Sequence, residues 1–229
     1  MKNLLVIFLL SSIVIGCKTE DTSPVITQEF SLGEFTSINL AMACDVIIRE
    51  GSIQKVEITG PTETLNQINK SVNSGHWQIE LPNNHFKSYK NLTITITSNA
   101  IEDIAVSGSG IVSCNHALNL KSISIAGSGG VAAETDSKSL KCSISGSGNI
   151  SVSGSTESLE QRISGSGSFS GFDLVARSTE IHISGSGSSK TYTMDNLEAS
   201  ISGSGSVYYK GNPSVEQRVS GSGSVIEAN

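Results

Sequence analysis

Four glutamates recur along the second half of the chain at Glu160, Glu180, Glu198 and Glu216, and two arginines and a histidine follow two residues behind members of that series, at Arg162, His182 and Arg218. Carboxylates beside Arg or His are the raw material of acid–base work on polysaccharides, and of cation binding. That chemistry needs two carboxylates converging on one substrate atom. Here each glutamate sits five residues before a Gly-Ser-Gly word, so the four would form a column along a repeating wall rather than a pair across a cleft. The cation column, Ala105, Ser124, Ser143, Arg162, His182, Ser200 and Arg218, contains no Asp or Glu. The glutamate column reads best as a solvated charged face; a weak cation site and catalysis are the alternatives. Arg162 beside His182 could hold an anion. Tyr192, Tyr208 and Tyr209, with Phe172, fall after the glycine words of neighbouring repeats and could stack on sugar rings. These five residues, Tyr192, Tyr208, Tyr209, Arg162 and His182, are the candidate surface-binding set.

Other reactive chemistry finds no frame. Serines abound, but no Gly-x-Ser-x-Gly elbow joins a strand to a helix, and a word that recurs seven times is not a nucleophile. Gly127–Gly130 lacks the Lys-Ser/Thr of a phosphate loop. The nine-residue, Asp-bearing calcium repeat is absent. No catalytic residue, metal site or cofactor is assigned.

These residues are positioned by a repeat. The first glycines of the Gly-Ser-Gly words are Gly108, Gly127, Gly146, Gly165, Gly185, Gly203 and Gly221, at steps of 19, 19, 19, 20, 18 and 18 residues. Such a period fits one turn of a parallel β-helix, whereas helical solenoid repeats are usually longer. Apolar residues alternate with polar ones around each word: Ile123/Ile125, Cys142/Ile144 and Ile181/Ile183 before it, Val131, Ile150, Phe169 and Val207 after it. All stand at even offsets from the first glycine, hence on one face of an extended chain. By that parity the flanking serines face out and both glycines face in. Cys44, Cys114 and Cys142 also fall on even offsets, as buried free thiols; a Cys114–Cys142 disulfide is disfavoured by their unlike offsets. Aligning Met42 with the first glycine puts Ile38, Leu40, Cys44, Val46 and Ile48 in the same register, as an N-terminal coil without glycines. Pro61–Val72 reads as a short capping helix, His76–Leu81 and Asn91–Thr97 as strands, and Asn83–Lys90 as a loop. The final rung, Ser220–Ala228, would leave an open edge, so an edge-to-edge oligomer is one expectation.

The chain begins with Lys2, an apolar run from Leu4 to Leu10, and Val14-Ile15-Gly16-Cys17. The run is too short to span a bilayer and matches a secretory leader. Its end resembles a bacterial lipobox, which implies cleavage before Cys17 and lipidation of that cysteine. Lys18-Thr19-Glu20-Asp21 resembles the surface-export signal of Bacteroidetes lipoproteins. The expected organisation is therefore a signal peptide over 1–16, a lipidated tether over 17–29 and one β-solenoid domain over 30–229. Net charge is −6, and removal of Lys2 with the leader makes it −7. With no basic block, nucleic acid is not an expected partner.

Phe35, Ile38, Leu40, Asp45–Ile48 and Gly51, followed by the ladder of Ser-Gly-Ser-Gly words, resemble the head GIN domain family of auto-transporter adhesin heads. The resemblance covers about residues 30–229. It implies a right-handed, single-stranded parallel β-helix of about 18–20 residues per coil in a secreted or lipid-anchored protein, with no catalytic residue to carry over. The expected role is a noncatalytic, adhesin-like outer-membrane lipoprotein, exposed at the cell surface and binding a glycan or a protein. A structural envelope scaffold is the alternative, and a carbohydrate-active β-helix enzyme is disfavoured by the missing carboxylate pair.

Overall fold

The structure, a computed structural model, describes residues 23–81 and 92–228. The leader, Cys17, the first part of the tether and the Asn83–Lys90 loop lie outside the described residues. The elements in chain order are β1 (Val25–Phe30), β2 (Ser37–Leu40), β3 (Asp45–Arg49), β4 (Lys55–Pro61), α1 (Thr62–Gln67), β5 (Val72–Asn73), β6 (His76–Ile79), β7 (Thr93–Thr97), β8 (Asp103–Val106), β9 (Ile111–Leu118) and β10 (Ser122–Gly127). Four long strands follow, β11 (Gly130–Gly146), β12 (Asn149–Gly165), β13 (Ser168–Gly185) and β14 (Ser188–Gly203), then β15 (Ser206–Lys210), β16 (Ser214–Gly221) and β17 (Ser224–Glu227).

The chain is a β-solenoid of stacked parallel coils, about seven turns. Two ladders run along it and meet at the Gly-Ser-Gly words. One comprises β6, β2, β8, β10, the C-terminal halves of β11–β14, and β16. The other comprises β7, β3, β9, the N-terminal halves of β11–β14, β15 and β17. Register follows the glycine period: Ser122 pairs with Lys141, Lys141 with Glu160, Glu160 with Glu180, Glu180 with Glu198 and Glu198 with Glu216. The 20-residue step is absorbed by one extra residue in β13, between Ser170 and Leu174, opposite Ser151 to Gly154 of β12.

Stacking in register turns each even offset into a column of like residues. Ile125, Ile144, Ile163, Ile183 and Ile201 lie one above another, none more than 2% exposed. Each such burial is worth about 1.5–3 kcal/mol, and β-branched side chains suit the pleated surface they pack on. The three cysteines are buried free thiols, as the register requires.

From the word at Gly127 onward the two glycines serve different ends, which corrects the expectation that both face the core. The first, as at Gly146, has φ +124°, and a Cβ there would come within 2.6 Å of the Gly127 carbonyl oxygen one coil below. It is required for a left-handed turn pressed against the preceding coil. The second does face inward: a Cβ on Gly148 would lie 2.5 Å from Ile125 Cγ2. Ser145 and Ser147 are exposed, as their parity demands.

The N-terminal end departs from simple order. Leu40 pairs with Val106 and Asp45 with Ile111, so Met42 does align with Gly108. Yet β6 and β7 stack on the other side of β2 and β3, so the glycine-free coil is the second layer and the β6–β7 coil lies beneath it. The tether expected over 17–29 gives way at Val25 to a strand. Strand β1 runs antiparallel to β4, held by a Thr27–Thr59 hydroxyl bond of 2.8 Å and a Lys55–Glu29 ion pair of 3.0 Å. It is exposed at every position but Phe30, so it leaves no buried apolar face to read. Helix α1 caps this end with Leu65 fully buried; Trp77 packs on Phe35 at 5.4 Å and donates its indole N–H to the Asn69 carbonyl at 3.0 Å. The other end has no such cover among the described residues: β16 is exposed along its length.

Candidate functional site

Outward side chains form three surfaces. The first is the glutamate and cation wall. Arg162 and His182 occupy paired positions on β12 and β13, as their offsets predicted. They line a shallow recess of about 440 Å³ with Ser143, Ser164, Ser184 and Ser200. Each, however, is already engaged by the glutamate two residues before it: Arg162 Nε donates to Glu160 at 2.9 Å, and His182 Nε2 lies 2.7 Å from Glu180. Glu160 also takes Lys141 at 3.2 Å, and its carboxyl is held below the usual range by the Lys141 hydrogen bond and then by Arg162. Arg218 reaches Glu198 at 3.1 Å and also contacts Glu216. Glu160, Glu198 and Glu216 are thus matched by Lys or Arg and Glu180 by a hydrogen bond with His182, in surface pairs each worth at most about 1 kcal/mol. Among the described residues no group of three His, Cys, Asp or Glu side chains could hold a metal.

The second surface is aromatic and cationic, on the outer side of the ladder after the glycine words. Parity divides the three tyrosines. Tyr208 pairs with Lys190 and Ile226, and Tyr192 with Lys210, all on outward rows. Tyr209 pairs with Thr191, which is fully buried, so Tyr209 turns inward and packs on the core. The expected cluster therefore loses Tyr209, because adjacent strand residues point to opposite faces. Phe172 takes its place. It sits in a bulge between Gly171 and Val175, with the Lys210 ammonium 4.7 Å and the Lys190 ammonium 6.0 Å from its ring centroid. Such geometry is a cation–π contact.

The third surface was not singled out from sequence. A shallow recess of about 840 Å³ at the far corner is lined by Lys121, Lys138, Arg177, Asp136, Glu157 and the exposed Met194. Lys121 is paired with Glu102 at 2.7 Å and Arg177 with Asp195 at 3.3 Å. Lys138, Glu157 and Arg177 share one offset, eight residues before their Gly-Ser-Gly words, and stack as a column; Lys121, Asp136 and Met194 join them from other offsets.

Sequence reasoning also missed a polar pair inside the core. Gln161, stacked between Cys142 and Ile181, and Ser189, stacked between Phe169 and Val207, occupy inward columns, and both are fully buried. The break in each column was the available signal.

The chain belongs to the family described as "putative auto-transporter adhesin, head GIN domain", whose model matches residues 34–213. It is similar to a "putative adhesin" from Bacteroides fragilis, with TM-score 0.85 at 21% identity, over 92% of this chain and 100% of that one. A "putative lipid binding protein" from Parabacteroides distasonis aligns with TM-score 0.74 at 23% identity, over 92% and 99% of the two chains. A "putative adhesin" from Parabacteroides merdae aligns with TM-score 0.71 at 22% identity, again over 92% and 99%. At these identities the likeness speaks for the fold. No functionally curated protein matches the chain.

Proposed function

We propose that this chain is a noncatalytic, adhesin-like head, lipid-anchored through Cys17 at the outer membrane and exposed at the cell surface, that binds acidic glycans along its side wall. Membership of a family named for adhesin heads supports the general reading. The observation that carries the ligand class is the wall of Phe172, Tyr192 and Tyr208 interleaved with Lys190 and Lys210. Flat aromatic faces pack on the C–H faces of sugar rings, and two ammoniums held beside them favour carboxylate- or sulfate-bearing sugars. Arg162 and His182 are the secondary anion contacts, available where a ligand displaces Glu160 and Glu180. Wide, shallow recesses suit a polymer lying along the solenoid.

Protease shaving of intact cells tests the location. Digestion of the head without lysis is the expected result. Protection until the outer membrane is broken would place the chain on the periplasmic side and favour an envelope scaffold.

A further inference from the structure

We infer that the open C-terminal rung is a two-fold interface between two copies of this chain, made by antiparallel pairing of β16 with β16 of the second copy. This goes beyond the glycan-binding reading and does not depend on it. Strand β16 is hydrogen-bonded on one side only, to β14, and its outer edge meets none of the described residues. Val215 and Val219, on the inward row, are 37% and 42% exposed, because no coil among the described residues covers them. The opposite end buries its own interior under α1 and Trp77, so the uncovered interior lies at this end.

The occupant follows from the sequence of the strand. Val215-Glu216-Gln217-Arg218-Val219 is its own complement when read antiparallel. A two-fold axis through Gln217 sets Gln217 against Gln217 of the second copy, Glu216 against Arg218, and Val215 against Val219. Every charge then meets its opposite, and every uncovered valine meets a valine on the same face. Directly opposed cross-strand pairs stabilise a sheet when charges are opposite and destabilise it when they are alike. A two-fold contact also consumes both edges and closes, whereas an unpaired flat edge would keep adding chains. The wall bearing Tyr192 and Tyr208 stays free in each copy.

Directly opposed antiparallel residues have Cα atoms about 4.5–5.5 Å apart, within disulfide reach. The test is Gln217→Cys in the full chain, oxidised in cells and run on a non-reducing gel. A covalent dimer that wild type does not give is expected, with at least fivefold less from Glu216→Cys alone. In the Gln217→Cys background, Glu216→Arg should cut the crosslink at least tenfold, and adding Arg218→Glu should restore it. Residues 216–218 are exposed, so these changes leave the fold intact. A Gln217→Cys chain that stays monomeric under oxidation, or a double charge reversal that fails to restore the crosslink, would overturn the interface.

Discussion

The Ser189 hydroxyl donates to Gln161 Oε1 at 2.5 Å across the solenoid core, joining two residues 28 positions apart. Each replaces an apolar side chain in its column: Gln161 stacks between Cys142 and Ile181, and Ser189 between Phe169 and Val207. Removing one partner leaves a buried polar group unsatisfied, at about 1–3 kcal/mol. Gln161→Ile and Ser189→Val are each expected to lower the urea midpoint, and the double variant to recover most of the loss. A double-mutant cycle measures this coupling; additive losses would mean that the pair does not act as one unit.

Gly165 has φ +116°, and a Cβ on it would stand 2.5 Å from the Gly146 carbonyl oxygen. Gly165→Ala should therefore cost at least about 1–3 kcal/mol from backbone strain alone, with the clash adding to it. Ser164→Ala, one residue away on the exposed face, should stay within about 0.5 kcal/mol. Thermal unfolding of the two variants side by side checks the contrast.

Burial, with Asp45 nearby, raises the Cys44 thiol from its ordinary 9.0 to about 12; burial also raises Cys142 and Cys114. Above about pH 9 the unfolded chain releases these protons while the folded chain keeps them. Stability should then fall as pH rises from 9 toward 12, by up to about 1.4 kcal/mol per pH unit for Cys44, and show no pH dependence from it below 9. Urea midpoints at pH 8 and pH 10.5 should differ less in Cys44→Ala than in wild type. An equal difference would remove Cys44 from this account.

Cys17→Ala should release the head from the membrane fraction, since the anchor proposed there supplies the hydrophobic attachment. Fractionation with the folded head as the probe reads this. A Cys17→Ala chain that stays membrane-bound and fully processed would contradict the anchor.

Much of the coil was legible because one constraint recurs. From Gly127 onward only glycine fits where the word presses on the coil before it, so the glycine spacing carried the register, and the alignment of Met42 with Gly108 came with it. The order of the N-terminal layers was not legible, since β6 and β7 carry no glycine word and insert below β2. Nor was the β1 strand, whose partners lie 26 to 36 residues away in sequence and whose own residues are almost all exposed. At the candidate site, Arg162 and His182 were found by offset alone. Tyr209 was grouped with Tyr208 by proximity in sequence, against strand parity. Phe172 became central only through a bulge that no spacing announces.

The wall of Phe172, Tyr192, Tyr208, Lys190 and Lys210 is the centre of the functional account, and one binding experiment tests it most directly. The chain is applied to an array of neutral, carboxylated and sulfated glycans beside Tyr192→Ala/Tyr208→Ala and Lys190→Gln/Lys210→Gln variants of unchanged thermal stability. The account predicts retention on the acidic glycans, reduced at least tenfold in both variants and weakened by salt. Retention that both variants keep, or no retention of the wild-type chain on any glycan, would contradict it.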